Sequence, residues 1–181
     1  MVFSSSMLLD ARCILREAHL REGFVVADFG CGPGGHFVFP AATAVGPKGR
    51  VYAVDIQKQV ITSIRSYASL NGFTNIEPLW GDIERIGGVR VTDASLDTIL
   101  LVNNFYLVKN RELLVKEIKR TLKSDGALVV VDWLTSKTPI GPPIDQRVGK
   151  ELVGDLFTRF GFQLDHSFKA GQYHWGLVFR K

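Results

Sequence analysis

Val25-Val26-Ala27-Asp28-Phe29-Gly30-Cys31-Gly32-Pro33-Gly34-Gly35 is the stretch on which the fold of this chain turns. Phe24 to Ala27 is a continuous apolar run, as a parallel strand covered by helices on both faces requires. Glycines from Gly30 to Gly35 break the run, and His36 to Val45 is apolar enough to form a helix packed on a sheet. Strand, glycine-rich turn and helix, in that order, open a doubly wound α/β fold.

The pattern repeats outward from there. Upstream, Leu8, Ala11, Ile14, Leu15 and Ala18 recur at helical spacing behind a serine suited to capping, and Gly23 ends that helix. Downstream, Gly46-Pro47-Lys48-Gly49 turns into a second strand, Val51–Val54. A helix over Gln57–Leu70 carries Val60, Ile61, Ile64 and Ala68 on one face and stops at Asn71-Gly72. Strands are expected at Ile76–Leu79 and Leu96–Val102, then a helix over Asn110–Leu122. Asp125-Gly126 should turn into a fifth strand, Ala127–Trp133. Residues 135–146 hold three of the seven prolines and no periodicity, hence a loop. A helix over Gln146–Phe160 ends at Gly161. Phe162–Lys169 and Tyr173–Arg180, joined by Ala170-Gly171-Gln172, read as an antiparallel hairpin. The expected architecture is a Rossmann-like sheet of about seven strands, mostly parallel, with right-handed crossovers and a C-terminal antiparallel hairpin.

Length and composition fit one domain over residues 1–181, with an N-terminal helix in 1–22 (Met7–Leu20 as a lid) on a core of 23–181. Apolar residues make up 46% and charged residues 22%, which excludes wholesale disorder. The net charge of +4 is compatible with an anionic partner and demands none. Cys13 and Cys31 cannot build a disulfide framework, and no Cys/His set has metal-ligand spacing. A reducing, cytoplasmic compartment and no resident metal are expected. The first residues lack a basic stretch followed by an apolar one, so no signal peptide is expected. The apolar runs Ile99–Val102 and Ala127–Val131 are strand-length, far short of the ~20 residues of a membrane helix.

In an open α/β sheet, ligands bind outside the carboxyl ends of the strands. After the first strand, Gly30, Gly32 and Gly35 satisfy G-x-G-x-x-G, while Gly30, Gly32 and Gly34 satisfy G-x-G-x-G. Pro33 removes a backbone donor from any diphosphate cradle. Asp28 adds a negative charge suited to an ammonium or sulfonium. Asp55, after the second strand, is placed to accept both hydroxyls of a ribose or to cap the next helix. Asp82 and the Ile83 backbone N–H, after the third, suit an adenine edge or a simple turn. Asn103-Asn104-Phe105-Tyr106 follows the fourth.

Together these segments resemble the class I S-adenosylmethionine-dependent methyltransferases. The resemblance rests on Val25–Gly35, on V-Y-A-V-D ending at Asp55, on Gly81-Asp82, on D-T-I-L-L-V-N-N-F-Y from Asp97, and on L-K-S-D-G-A-L-V-V-V-D-W ending at Trp133. It spans roughly residues 20–180 and looks most like the small-molecule branch of quinone-biosynthesis and arsenite methyltransferases. Ser124-Asp125-Gly126 departs from the family's Pro-Gly-Gly. The resemblance implies strand order 3-2-1-4-5-7-6 and S-adenosyl-L-methionine as cofactor. Asp28 with the Gly30 and Gly32 backbone would hold the methionine end. Asp55 would take the ribose, Ile56 would pack on adenine, Asp82 and Ile83 would read its edge, and Asn103 would lie near the methionine part.

The activated donor leaves the protein mainly to align a nucleophile in line with the S–CH₃ bond. Candidates for a base are His36, Tyr106, Asp132 and His174, with His36 best placed directly after the glycine loop. His36, Tyr106 and Trp133 are candidate walls of a substrate pocket, whereas Trp175 reads as a packing residue. The Pro-rich loop and the N-terminal helix are expected to roof that pocket. No N-P-P-[YF] or Pro-Cys motif is present, and basic residues are scattered without aromatic interleaving. A small-molecule acceptor is therefore expected. An RNA or protein methyltransferase, an NAD-dependent oxidoreductase and a non-catalytic cofactor-binding protein are the alternatives. Nothing in the sequence sets the oligomeric state.

Overall fold

A computed structural model describes residues 9–181. Helices and strands alternate as α1 (Ala11–Glu17), β1 (Val25–Phe29), α2 (Val38–Val45), β2 (Arg50–Asp55), α3 (Lys58–Leu70), β3 (Ile76–Trp80) and β4 (Leu96–Val102). There follow α4 (Arg111–Thr121), β5 (Leu122–Trp133), α5 (Lys150–Arg159), β6 (Gln163–Lys169) and β7 (His174–Arg180). The strands form one seven-stranded sheet in the order 3-2-1-4-5-7-6. β7 runs antiparallel to β5 and β6, while the other pairings are parallel. Both order and direction are those expected. No helix among the described residues is long and apolar enough to cross a membrane.

The strands explain their own apolarity. In β5, Leu128 and Val130 join a cluster with Leu114, Phe157 and Phe179 on the α4/α5 side. Val129 and Val131 join Ile14, Val38 and Ile64 on the α1–α3 side. A strand that feeds two cores at alternate positions has no place for a polar residue, so it reads as an unbroken apolar run.

Two expectations are corrected. The cap of α1 is Asp10, whose Oδ1 accepts the Arg12 N–H at 2.9 Å, and not a serine; Ser4–Ser6 lie outside the described residues. β5 does not begin after a turn at Asp125-Gly126 but extends back to Leu122, which pairs with Leu96 across a bulge. Lys123 Nζ meets Asp97 Oδ1 there at 2.6 Å. A pairing between residues 26 apart holds as strand what local turn chemistry marks as a turn.

Part of the expected lid, residues 7 and 8, also lies outside the described residues. The remainder is the packed helix α1, with Ile14, Leu15 and Ala18 buried among the residues of α2 and the sheet.

A buried ion pair fixes the long connection from β3 to β4. Glu117, fully buried on α4, accepts the N–H groups of Gly87 at 2.8 Å and Val89 at 2.9 Å. Arg120 bonds Glu117 and also the Val89 and Val91 carbonyls. Burial alone would raise the Glu117 carboxyl, but Arg120 and the two N–H groups overcome it and hold it below its ordinary value.

Candidate functional site

The carboxyl ends of β1 to β4 enclose two adjoining cavities that share Gly30, Asp55, Gln57 and Asn104. The first, about 240 Å³, lies over the ends of β2 and β3 and is lined further by Ile56, Asp82, Ile83, Glu84, Leu107 and Val108. The second, about 250 Å³, lies over β1 and β4 and is lined further by Leu9, Asp28, Cys31, Gly32, His36, Phe37 and Asn103. All eight residues expected to hold a cofactor line one cavity or the other.

The glycine loop is shaped by close contacts. Gly30 (φ +80°) lies under the Asn104 side chain, and a Cβ there would stand 2.3 Å from Asn104 Oδ1. Asn104 Nδ2 donates to the carbonyls of Gly30 at 2.9 Å and Val102 at 2.7 Å, tying the β1 turn to the β4 turn. Gly32 (φ +65°) turns its N–H onto Asp55 Oδ2 at 3.1 Å. Gly35 serves packing, since a Cβ there would strike Ile64 and Phe39 at 2.7 Å.

Asp55 is buried at 7% exposure, and its second oxygen accepts the Gln57 N–H at 2.9 Å. Two backbone donors therefore orient the carboxylate before any ligand arrives. Asp82 Oδ1 accepts the Glu84 N–H at 2.9 Å. Glu84 in turn accepts the N–H groups of Lys109 and Asn110, holding the start of α4 against this cavity. Ile56 stands 59% exposed at the rim, beside Trp80, whose indole donates to the Ile56 carbonyl at 2.8 Å.

The second cavity is different in kind. Asp28 is 2% exposed, and its Oδ2 has no hydrogen-bond partner among the described residues. Burial first, and the Asp55 charge second, push its carboxyl up to about 7. Asn103 (φ +54°) donates its N–H to the Val131 carbonyl at 2.8 Å, and its buried Oδ1 also lacks a partner. Burial, then Asp28 and Asp55, raise the Cys31 thiol, which leaves it a poor nucleophile. His36 Nε2 lies 2.8 Å from the Leu9 carbonyl. A carbonyl only accepts, so that nitrogen carries the proton and latches the N-terminal segment onto the glycine loop.

Tyr106 and Trp133, expected as pocket walls with His36, line neither cavity. Tyr106 packs on the α4/α5 side of the sheet and donates its backbone N–H to Asp132 Oδ2 at 3.1 Å. Trp133 packs against His174 with ring centroids 4.1 Å apart and planes tilted by 43°. The Trp133 Nε1 and both His174 ring nitrogens are buried without partners among the described residues. Burial, then Arg147, push His174 down to about 4, so the ring is neutral at pH 7. Asp132 is pushed up to about 6 by burial. Trp175 is a packing residue, donating to the Trp133 and Val148 carbonyls.

Sequence reasoning missed Arg147. Its guanidinium donates to the carbonyls of Leu134, Ser136, Ile140 and Pro142 at 2.8–3.2 Å and lies 5.7 Å from the Trp133 ring. One cation thus closes the Pro-rich loop on itself. A lone arginine after a proline cluster gives no local signal of this. Leu9, Gln57, Glu84, Leu107 and Val108 were missed as lining residues for the same reason, although Gln57 directly precedes α3.

Residues 20–151 match the methyltransferase domain family. The chain is 30% identical over 131 residues to (S)-coclaurine N-methyltransferase of Thalictrum flavum subsp. glaucum, covering 72% of this chain and 34% of that protein. It is 29% identical over 115 residues to arsenite methyltransferase of Halobacterium salinarum, covering 64% and 28%. The chain thus spans about a third or less of these curated relatives. Among solved structures, a SAM-dependent methyltransferase from Aquifex aeolicus superposes with TM-score 0.90 at 26% identity, covering 98% of this chain and 93% of that one.

Proposed function

The chain belongs to the methyltransferase domain family of class I S-adenosylmethionine-dependent enzymes, and from that premise we propose that it transfers the methyl group of S-adenosyl-L-methionine to a small-molecule acceptor. The observation that carries this reading is the contrast inside one cleft. One end has a carboxylate already oriented by two backbone donors, and the other has a buried carboxyl whose Oδ2 has no hydrogen-bond partner among the described residues.

The residues present fit the cofactor. Asp55 accepts the two ribose hydroxyls while Gly32 and Gln57 hold it in place. Asp82 and the Ile83 N–H read the adenine edge, with Ile56 and Leu107 against the ring faces. The partnerless Asp28 Oδ2 and Asn103 Oδ1 take the ammonium and neighbouring polar atoms of the methionine part. A bound cation brings the Asp28 carboxyl back down, because the charged form then has an opposite charge beside it. When bound, S-adenosylmethionine supplies a methyl group on a sulfonium, already activated for displacement.

The chain's remaining task is alignment and exclusion of water. Leu9 covers the methionine end, held by His36, and we assign the segment through α1 the role of a lid on the single domain. His36 is thereby a latch, and its Nε2 is not free to take a proton from the acceptor. A small acceptor accords with the relatives, which are named for coclaurine and arsenite.

Titration calorimetry with S-adenosylhomocysteine and with NAD(H) tests the reading. Wild-type protein should bind the former and ignore the latter. Binding of NAD(H) alone would overturn the methyltransferase assignment. Unchanged S-adenosylhomocysteine affinity in Asp55→Ala would remove only the assignment of the ribose site.

A further inference from the structure

Outside the cleft, α1 and α2 leave a groove of about 760 Å³ that shares no lining residue with either cavity described above. Its floor is apolar: Leu15 of α1, Phe39 and Pro40 of α2, and Phe73 after α3. Phe39 and Phe73 are in ring contact at 5.4 Å, so the floor is a packed surface. Its rim is cationic, formed by the exposed Arg12, Arg16 and Arg21. No carboxylate lines the groove, and among the described residues none of the three arginines forms an ion pair with one. Of the acids nearest in sequence, Asp10 caps α1 beside Arg12, Glu17 meets His166 at 2.9 Å and Glu22 follows Arg21, while Arg16 donates to Cys13 Sγ at 3.1 Å.

This combination is selective. An apolar floor alone would accept any greasy molecule, and three guanidiniums alone would accept any anion. Arginine forks bind carboxylate and phosphate groups through paired N–H donors, while their stems extend the apolar surface. The volume lies within the ~300–1,000 Å³ of small-molecule sites. We propose that this groove binds a single-chain amphiphilic anion, with the apolar body on Leu15, Phe39 and Phe73 and the anionic head between Arg12 and Arg16. The assignment does not depend on the methyltransferase reading, because no residue of the cleft takes part.

The probe is dodecanoate below its critical micelle concentration, titrated calorimetrically and followed by amide chemical shifts. Saturable 1:1 binding is expected, with shifts in residues 12–21, 39–44 and 73. Affinity for dodecyltrimethylammonium should be at least ~10-fold weaker, a difference of ~1.4 kcal/mol. The double variant Arg12→Gln/Arg16→Gln should bind dodecanoate at least ~10-fold more weakly, as should Thr43→Glu, which sets a carboxylate on the exposed wall and removes no cation. Thr43→Glu, on α2 and outside the lid, should keep wild-type affinity for S-adenosylhomocysteine, and both variants should keep the wild-type far-UV circular dichroism spectrum, which shows that the fold is intact. Equal binding of the two detergents would overturn the proposal, as would unchanged dodecanoate affinity in both variants. Association with phosphatidylglycerol vesicles without binding of free dodecanoate would also overturn it and make the patch a membrane contact.

Discussion

The two ends of the cleft hold their carboxylates in opposite ways. At the β2/β3 end, Asp55 has two backbone donors and Asp82 has one, so both are oriented and solvated by the protein itself. At the β1/β4 end, Asp28 is more deeply buried and its Oδ2 has no partner among the described residues. Orienting a carboxylate in advance lowers the reorganisation needed to bind neutral hydroxyls. Leaving one buried and unpaired is unfavourable until a cation arrives, which converts that cost into discrimination for a cation. On the proposed reading, the adenosine end would thus be built for geometry and the methionine end for charge.

The largest test of this contrast is stability. Folded Asp28 keeps its proton up to about pH 7, whereas the unfolded side chain loses it near 3.8. The folded state therefore binds more protons across that window, and the contribution of Asp28 to stability falls as pH rises through it. Asp28→Asn mimics the neutral form. Denaturant titration should show it no more stable than wild type at pH 3.5 and more stable by up to ~4 kcal/mol at pH 8, at ~1.36 kcal/mol per pH unit. His174 acts in the opposite direction, since its stabilising share is present above its ordinary 6.5 and is lost as pH falls toward about 4. Comparison of Asp28→Asn with wild type cancels that share. Equal stability at pH 8 would erase the distinction between the two ends.

Binding gives the next effect. The same Asp28→Asn substitution should weaken S-adenosylhomocysteine by at least ~100-fold, or ~2.7 kcal/mol, because a buried cation loses its counter-charge. In wild type the affinity should also fall as pH drops below about 7, as the Asp28 proton must leave first. A pH-independent affinity between 5.5 and 8 would contradict this.

Asp55→Ala should cost at least ~10-fold in the same titration, since hydrogen bonds to a charged group contribute ~1.5–3 kcal/mol each. Asp55→Asn keeps an acceptor and should cost less. Smaller again, Asp82→Ala should weaken S-adenosylhomocysteine ~5-fold, the order of one net hydrogen bond. An Asp82 effect exceeding that of Asp55 would reverse the ranking within the adenosine end.

The smallest expected effect is zero. Among the described residues no group of three His, Cys, Asp or Glu side chains is arranged to hold a metal ion. Once an acceptor is identified, turnover should survive exhaustive EDTA treatment. A loss restored by Mg²⁺ or Zn²⁺ would mean that the cleft carboxylates serve a metal.

Much of the site was legible because parallel strands make position along the chain equivalent to position in space. Asp28, Asp55, Asp82 and Asn103 each stand at or just past a strand end, so recognising the strands located them at one rim. The place of His36 beside the glycine loop was legible only as proximity. Its latch to Leu9 joins residues 27 apart and leaves no periodic trace. Trp133 and Tyr106, expected as walls of a substrate pocket, stand outside the two cleft cavities because a strand end and a following turn each offer two faces. Trp133 faces His174 and Tyr106 faces the α4/α5 layer.

By itself the sequence determined the alternation of strands and helices, the sheet buried on both faces and the acids at the strand ends, because these follow from periodicity and turn chemistry within about ten residues. The tertiary structure alone decided which of those acids is partnered and which is left bare. It also decided that Asn104 covers Gly30, that Arg147 gathers four carbonyls of the Pro-rich loop, and that Glu117 with Arg120 fixes the approach to β4. Those outcomes depend on desolvation and on donors brought from as far as 74 residues away, and a side chain's surroundings at that range exist only once the chain has closed on itself.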